Sequence, residues 1–391
     1  MVYLDHAATT PMRPAAVAAT SAQFGHVGNA SSLHAGGRAA RRVVEEAREA
    51  IAATYHAQPI DVVFTSGGTE GDNLAVKGLY WARHAEDPRR RRVLVGATEH
   101  HAVLDTALWL AEHEDAEIEW LPVDADGLLS PSTLEAALAE QAGTVALVTV
   151  MWANNEVGTV APIAGLAAVA RAHGVPFHTD AVQAAGVLPV DFAATGVDAL
   201  TLTGHKLGGP VGSGALLLRR DATVVPVLHG GGQERDVRSG TLDAAGVAGL
   251  AAAVIDAAVG REAAAARMAE LRDRLVDGIR RAVPDVVVSA EHAPRLPGIA
   301  HLAFPGCEGD SLLMLLDAAG VECSTGSACS AGVSRPSHVL AAMGMSEELA
   351  RGSLRMSLGH TSTGPDVTAA VETIGPAVDR ARRARLAGTA R

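Results

Sequence analysis

From residue 36 onward the chain alternates helical and strand signals, and that alternation limits its fold more than any other feature. GRAARRVVEEAREAIAATYHA has helical apolar spacing, and DVVFTSGG is a short β-rich run stopped by glycines. TEGDNLAVKGLYWARHA, RRVLVGATEH, HAVLDTALWLAEHE, AEIEWLPVD and SPSTLEAALAEQ repeat the cycle, and TVALVTVMW, IAGLAAVARAHG and VPFHTDAVQ continue it. Strands that are apolar nearly throughout and lie between helices indicate a parallel sheet covered on both faces. DALTLTGHK and GSGALLLRR lie close enough to be adjacent strands. One long Ala-rich helix is expected over residues 243–282, followed by a mixed α+β pattern to the end. The reading is a large α/β domain and a smaller C-terminal domain entered along that helix.

Composition narrows the function. The 391 residues are 48% hydrophobic, enough for a sizeable core. No apolar stretch approaches the ~20 residues of a membrane span, and MVYLDHAATTPMRP lacks the basic and apolar regions of a secretory signal. Three cysteines, Cys307, Cys323 and Cys329, argue against a disulfide scaffold and for a reducing compartment, so a cytoplasmic location is expected. A net charge of −12 argues against direct nucleic-acid binding, and Arg89–Arg92 reads as a solvated loop or helix end. No CxxC or HxxxH spacing appears, so no resident metal is expected.

Of 32 basic residues only Lys77 and Lys206 are lysines. Arg replaces Lys wherever a plain positive charge suffices, which marks the surviving lysines as candidates for chemistry that a guanidinium cannot perform. That chemistry is nucleophilic attack by a free amine. Lys206 follows a strand in TLTGHKLGGP, among glycines that let backbone pass close to a ligand; Lys77 lies mid-helix and reads as solvent-facing.

Other turns fall at strand ends, where ligands bind in open α/β sheets. In FTSGGTEGDN a strand stops at Ser66-Gly67-Gly68-Thr69 and a helix starts, which suits a phosphate, although glycine-ended turns are common. Asp180 in HTDAVQ is either a capping residue or a carboxylate for a cationic ring nitrogen. His100 and His101 in ATEHHAV end another strand, where an imidazole stacks on a planar group or moves a proton. A phosphate cradle, a carboxylate, a stacking His and an imine-forming Lys together describe a pyridoxal 5′-phosphate site.

With YLDHAATTP, SGGTEGDNLA, TEHHAVLD, NNEVG, HTDAVQ, TGHKLGGPVGSGAL, HGGGQERDVRSGT, STGSACSAG and LRMSLGH in place, the chain resembles the cysteine desulfurases of the class V aminotransferase group, nearly end to end. The resemblance implies fold type I: a large domain (15–255) with a mainly parallel seven-stranded sheet, and a small α+β domain (1–14 and 256–391) carrying a mobile cysteine loop at about 322–334. It implies that Lys206 holds the cofactor covalently, Asp180 pairs with the ring nitrogen, His100 stacks and relays protons, and Gln183 contacts the ring oxygen. Gly68, Thr69, Thr203 and His205 would hold the phosphate, and Asn155 and Arg355 the carboxylate of L-cysteine. Thr241 would reach the partner subunit's site in a homodimer.

Cys329 would take the sulfur as a persulfide and pass it to an acceptor protein, an iron–sulfur scaffold or a tRNA-thiolating enzyme; the persulfide could also ligate a cluster transiently. A thiol set among Ser, Gly and Ala is accessible and mobile, as nucleophilic sulfur transfer requires. Cys323 reads as structural. The alternative activity is that of a related lyase such as selenocysteine lyase.

Overall fold

Behind the alternating pattern stands a seven-stranded sheet. A short β1 (Val2–Tyr3) precedes its members: β2 (Val62–Thr65), β3 (Arg92–Gly96), β4 (Glu117–Leu121), β5 (Val145–Thr149), β6 (Phe177–Asp180), β7 (Ala199–Thr203) and β8 (Gly214–Leu218). Their order is β2-β8-β7-β6-β5-β3-β4. All pairs are parallel except those of β8, which runs antiparallel to both β2 and β7. The structure is a computed structural model describing residues 1–139, 141–326 and 337–389, with side chains through residue 385.

The strands are apolar throughout because both faces are covered. Val62, Phe64 and Leu217 face one core with Ile51, Leu166 and Leu250. Val63, Leu216 and Leu218 face the other with Leu74, Leu79, Val103 and Leu110. Successive side chains leave a strand on opposite sides, so two covers demand apolar residues at every position.

Much of the chain after 260 shares a separate core with the N-terminal segment. Leu4 packs with Leu271, Leu275, Ile279, Phe304, Leu354 and Ile374. There β9 (Val287–Val288), β10 (Ile299–Ala303) and β12 (Ser353–Ser357) form an antiparallel sheet, and β1 pairs in parallel with β11 (Val321–Glu322).

The single helix expected over 243–282 is two. Ala244–Val259 and Arg261–Ala282 meet at Gly260 with a bend of 73°. The first buries Val247, Leu250 and Val254 against the large core, and the second turns Leu271, Leu275 and Ile279 into the other. Gly is about 1 kcal/mol worse than Ala in a helix interior, so the break between two differently directed faces falls on it.

Candidate active site

All the strand ends that carry candidate residues open on one edge of the sheet. There a cavity of about 340 Å³ is lined by Gly68, Thr69, His100, Asn155, Asp180, Gln183, Thr203, His205, Lys206 and Arg355. Ten residues spread over 288 positions of sequence are thus brought together. Thr241 does not line this cavity: it is exposed, at the end of the loop 229–241. Cys329 lies outside the described residues.

The phosphate-type turn forms because β2 stops at Thr65 and the helix Gly68–Glu86 starts after only Ser66 and Gly67. Gly67 has φ +148°, and a Cβ on Gly214 of β8 would fall 2.7 Å from Gly67 Cα, so two glycines allow strand and turn to touch. The first intrahelical bond is Gly71 N to Gly67 O (3.2 Å), which leaves the Gly68 and Thr69 amides at a helix N-terminus without intrahelical partners. Glu70 braces the turn, accepting from Ser66 N (2.7 Å) and from Arg238 Nε (2.7 Å).

Lys206 sits in the short helix Gly204–Leu207 directly after β7. Its Nζ donates to the carbonyls of Ala7 (2.5 Å) and Ala8 (2.6 Å), and Gln183 Nε2 donates to Ala7 O (2.9 Å). The 5–10 segment, whose motif carried no assigned role in the sequence reading, is therefore the roof over the amine. Burial, then the Arg355 charge, lower the Lys206 pKa to about 8, with Asp5 and Asp180 pulling it back up. Lys77 is not simply solvent-facing: its Nζ lies 3.9 Å above the Trp109 ring. On an adjacent strand end, Asp180 combines both of its sequence readings. Oδ1 accepts from Val182 N (2.8 Å) in a local turn, while the carboxyl lines the cavity. Burial raises its pKa to about 6.

His100 caps the helix His101–His113, its Nδ1 accepting from Ala102 N (3.1 Å). That bond places the proton of the neutral ring on Nε2, which is free for the cavity. Burial, followed by the Lys206 charge, lowers its pKa to about 4. His205 Nδ1 lies 3.4 Å from Thr9 Oγ1, and Thr203 Oγ1 donates to Ser213 O (3.3 Å). Two carboxyls absent from the sequence reading, Asp72 and Glu99, also line the cavity, buried, each with one unpartnered oxygen. Burial raises both well above the usual range. Nothing local in the sequence marked them.

Arg355, on β12, is 4% exposed and already engaged. Nη2 pairs with Asp5 Oδ1 (2.7 Å), Nη1 donates to Asn155 O (2.9 Å), and Nε is buried without a partner. The orphaned Nε, the buried Asp180 carboxyl, the lowered-pKa amine and the open helix N-terminus match a phosphorylated pyridine aldehyde and an amino-acid substrate group by group.

Comparison with known proteins agrees. A profile of the family described as Aminotransferase class-V matches residues 2–369. An IscS-like cysteine desulfurase of Mycobacterium tuberculosis is 60% identical over 388 residues, covering 99% of this chain and 98% of that protein. Among solved structures, a NIFS-like protein matches with a TM-score of 0.89 at 31% identity, covering 97% of this chain and 99% of that one. SspA in complex with cysteine matches with a TM-score of 0.80 at 33% identity, covering 93% and 100%.

Proposed function

The chain belongs to the class V aminotransferase family, and on that premise we propose that its site takes the sulfur from L-cysteine, releases L-alanine and leaves the sulfur as a persulfide on Cys329. It is a pyridoxal 5′-phosphate enzyme and a cysteine desulfurase. The observation that carries the assignment is the pairing of Lys206 and Asp180 on neighbouring strand ends, an amine with a lowered pKa and a buried carboxyl with a raised one, both lining one cavity.

Bound pyridoxal phosphate draws electrons from the substrate Cα and so makes the Cβ–S bond breakable. The rest falls to the chain's own residues. The Gly68 and Thr69 amides, the Thr203 hydroxyl and His205 hold the phosphate at the helix N-terminus. Lys206 holds the cofactor through its amine, whose lowered pKa supplies the unprotonated, nucleophilic form near neutrality. Asp180 keeps a proton on the ring nitrogen, because a buried carboxylate is stabilised by an adjacent cation. Gln183 lies within the same cavity to reach the ring oxygen. His100, uncharged at neutral pH, would stack on the ring and presents its Nε2 proton to the cavity, the start of a proton relay. Arg355 and Asn155 hold the substrate carboxylate, a fork that fixes the sulfur's direction as well as its position.

The wider assignment follows the same reading. The enzyme acts as a cytoplasmic homodimer of chains divided at 15–255 and 1–14 with 256–391. Thr241 serves the partner's site, and the acceptor is an iron–sulfur scaffold or a tRNA-thiolating protein. The exposure of Thr241 supports its serving another site, as does the anchoring of its loop. Glu234 in that loop is buried and accepts from Arg48 Nη1 (2.8 Å), Arg48 Nη2 (2.6 Å) and Phe64 N (2.9 Å). Among the described residues no single helix is long and apolar enough to cross a membrane. Incubating the cofactor-loaded enzyme with L-cysteine and a thiol reductant tests the reaction. Alanine and sulfide should appear in equal amounts, and alanine without sulfide, or neither product, overturns it.

A further inference from the structure

The segment that carries Cys329 leaves and rejoins the described structure beside one buried carboxylate. At its C-terminal root, Ser337 donates its hydroxyl to Glu156 Oε2 at 2.6 Å and accepts from Leu340 N (3.3 Å), capping the helix His338–Ala342. The next residue, His338, donates from Nε2 to Glu99 O (2.8 Å), and its ring meets His101 edge-on at 5.3 Å. At the N-terminal root, a Cβ built on Gly326 would stand 3.5 Å from the same Glu156 Oε2. Ser324, two residues earlier, exchanges both backbone hydrogen bonds with Arg355 (3.1 and 2.7 Å).

Glu156 is itself held. Its amide and that of Val157 donate to Asn154 Oδ1 (2.8 and 2.9 Å), and Asn154 Nδ2 donates to Thr98 O (3.0 Å). Glu156 is 4% exposed, so its carboxyl is costly to bury unless hydrogen-bonded. Burial raises its pKa, and the Ser337 bond with the His338, Arg355 and His101 charges opposes the rise. It follows Asn155, whose carbonyl Arg355 grips. One turn, 155–156, therefore accepts from the substrate-binding guanidinium and from Ser337 at the C-terminal root, and lies next to Gly326 at the N-terminal root.

Resting on the reading that Cys329 receives the sulfur, we propose that Glu156 is a positioning residue for that transfer. Through Ser337 it fixes the C-terminal root of the 327–336 segment relative to Arg355, whose backbone holds the N-terminal root at Ser324, and so it sets the reach of the thiol to a substrate held there. Glu156 also lines the cavity, and the role inferred for it is to place the segment rather than to bind the substrate. Its loss should slow sulfur transfer and leave substrate binding intact.

The test is single-turnover labelling of the cofactor-loaded enzyme with ³⁵S-cysteine, with label located by digestion, alongside titration with the unreactive product L-alanine. Reactions are sensitive to misplacement of about 1 Å at the level of ~10²-fold, so Glu156→Ala and Ser337→Ala should each slow labelling of Cys329 by about ten- to a hundredfold. L-Alanine affinity should stay within about twofold, and Glu156→Gln, which keeps an acceptor for Ser337, should recover labelling to within about threefold of the unsubstituted rate. Ser337→Ala reads the same bond if Glu156→Ala does not fold. Unchanged labelling in the Ala variants overturns the inference. A parallel loss of L-alanine affinity, or no recovery in Glu156→Gln, also overturns it. Label that never reaches Cys329 in the unsubstituted enzyme overturns the sulfur-transfer reading first, and this inference with it.

Discussion

Asp5 Oδ1 lies 2.7 Å from Arg355 Nη2, so the guanidinium assigned to the substrate carboxylate already holds a carboxylate of its own chain. The two residues are 350 positions apart, and β1 and β12 bring them together through the bridge of Asp5 to Ser357. A substrate carboxylate must share Arg355 with Asp5, and two like charges about 4–5 Å apart repel by roughly 1 kcal/mol even at the full dielectric of water. Asp5→Asn should therefore tighten L-alanine binding by about three- to tenfold. Spectral titration measures it; weaker binding in the variant would show that Asp5 orients Arg355 and does not compete for it.

Asp180 gives a pH signature in the cofactor-free protein. Its pKa is raised from 3.8 to about 6 by burial, so between those values the folded chain binds a proton that the unfolded chain has lost. Native stability must then fall as pH climbs through that window, with the penalty, on the order of 3 kcal/mol, fully present above about 6. Asp180→Asn should melt at the same temperature as the unsubstituted apoprotein near pH 4 and higher above pH 6. A difference that is constant with pH would exclude titration of Asp180 as its source.

The two lysines separate cleanly. Lys206→Ala should abolish turnover and the borohydride-stable attachment of the cofactor. Lys77→Arg should keep near-full activity, because a guanidinium also stacks on the Trp109 face that Lys77 covers at 3.9 Å. Alanine production at the unsubstituted rate by the Lys206 variant would remove the cofactor assignment.

Cys329→Ser should still bind L-cysteine with a visible spectral change, since the cofactor and substrate groups are assigned to Lys206, Asp180, His100 and Arg355, which line the cavity. Alanine release should drop by at least about a hundredfold, as a serine hydroxyl offers almost no anion at neutral pH. Full release without this thiol would refute its role.

Shared sites predict complementation. Inactive Thr241→Ala and Lys206→Ala chains, mixed under conditions of proven subunit exchange, should recover about a quarter of the unsubstituted activity: half the dimers are hybrids, and each has one intact site. No recovery would place Thr241 outside the partner's site. Removing Glu234 from the anchored loop, as Glu234→Ala, should cost about 1.5–3 kcal/mol of stability because it takes the two-pronged partner from the buried Arg48 and leaves it Glu45 and the Val62 carbonyl.

Much of this was present in the sequence alone because it is locally encoded. Two-sided burial writes itself into the strands as unbroken apolar runs, and strand ends carry their chemistry in the next two or three residues. That is how Gly68, Thr69, His100, Asp180 and Lys206 were singled out, and the strand-to-strand reading of DALTLTGHK and GSGALLLRR became the β7–β8 pair. Tertiary structure alone decided what depends on distant partners. The order β2-β8-β7-β6-β5-β3-β4, the bend at Gly260, Lys77 on Trp109, Asp5 on Arg355 and Glu156 on Ser337 are all of this kind. The physical reason is that periodicity reports which side of an element faces a core. Which residue of another element stands opposite is set by register and close packing, and neither leaves a mark on nearby sequence.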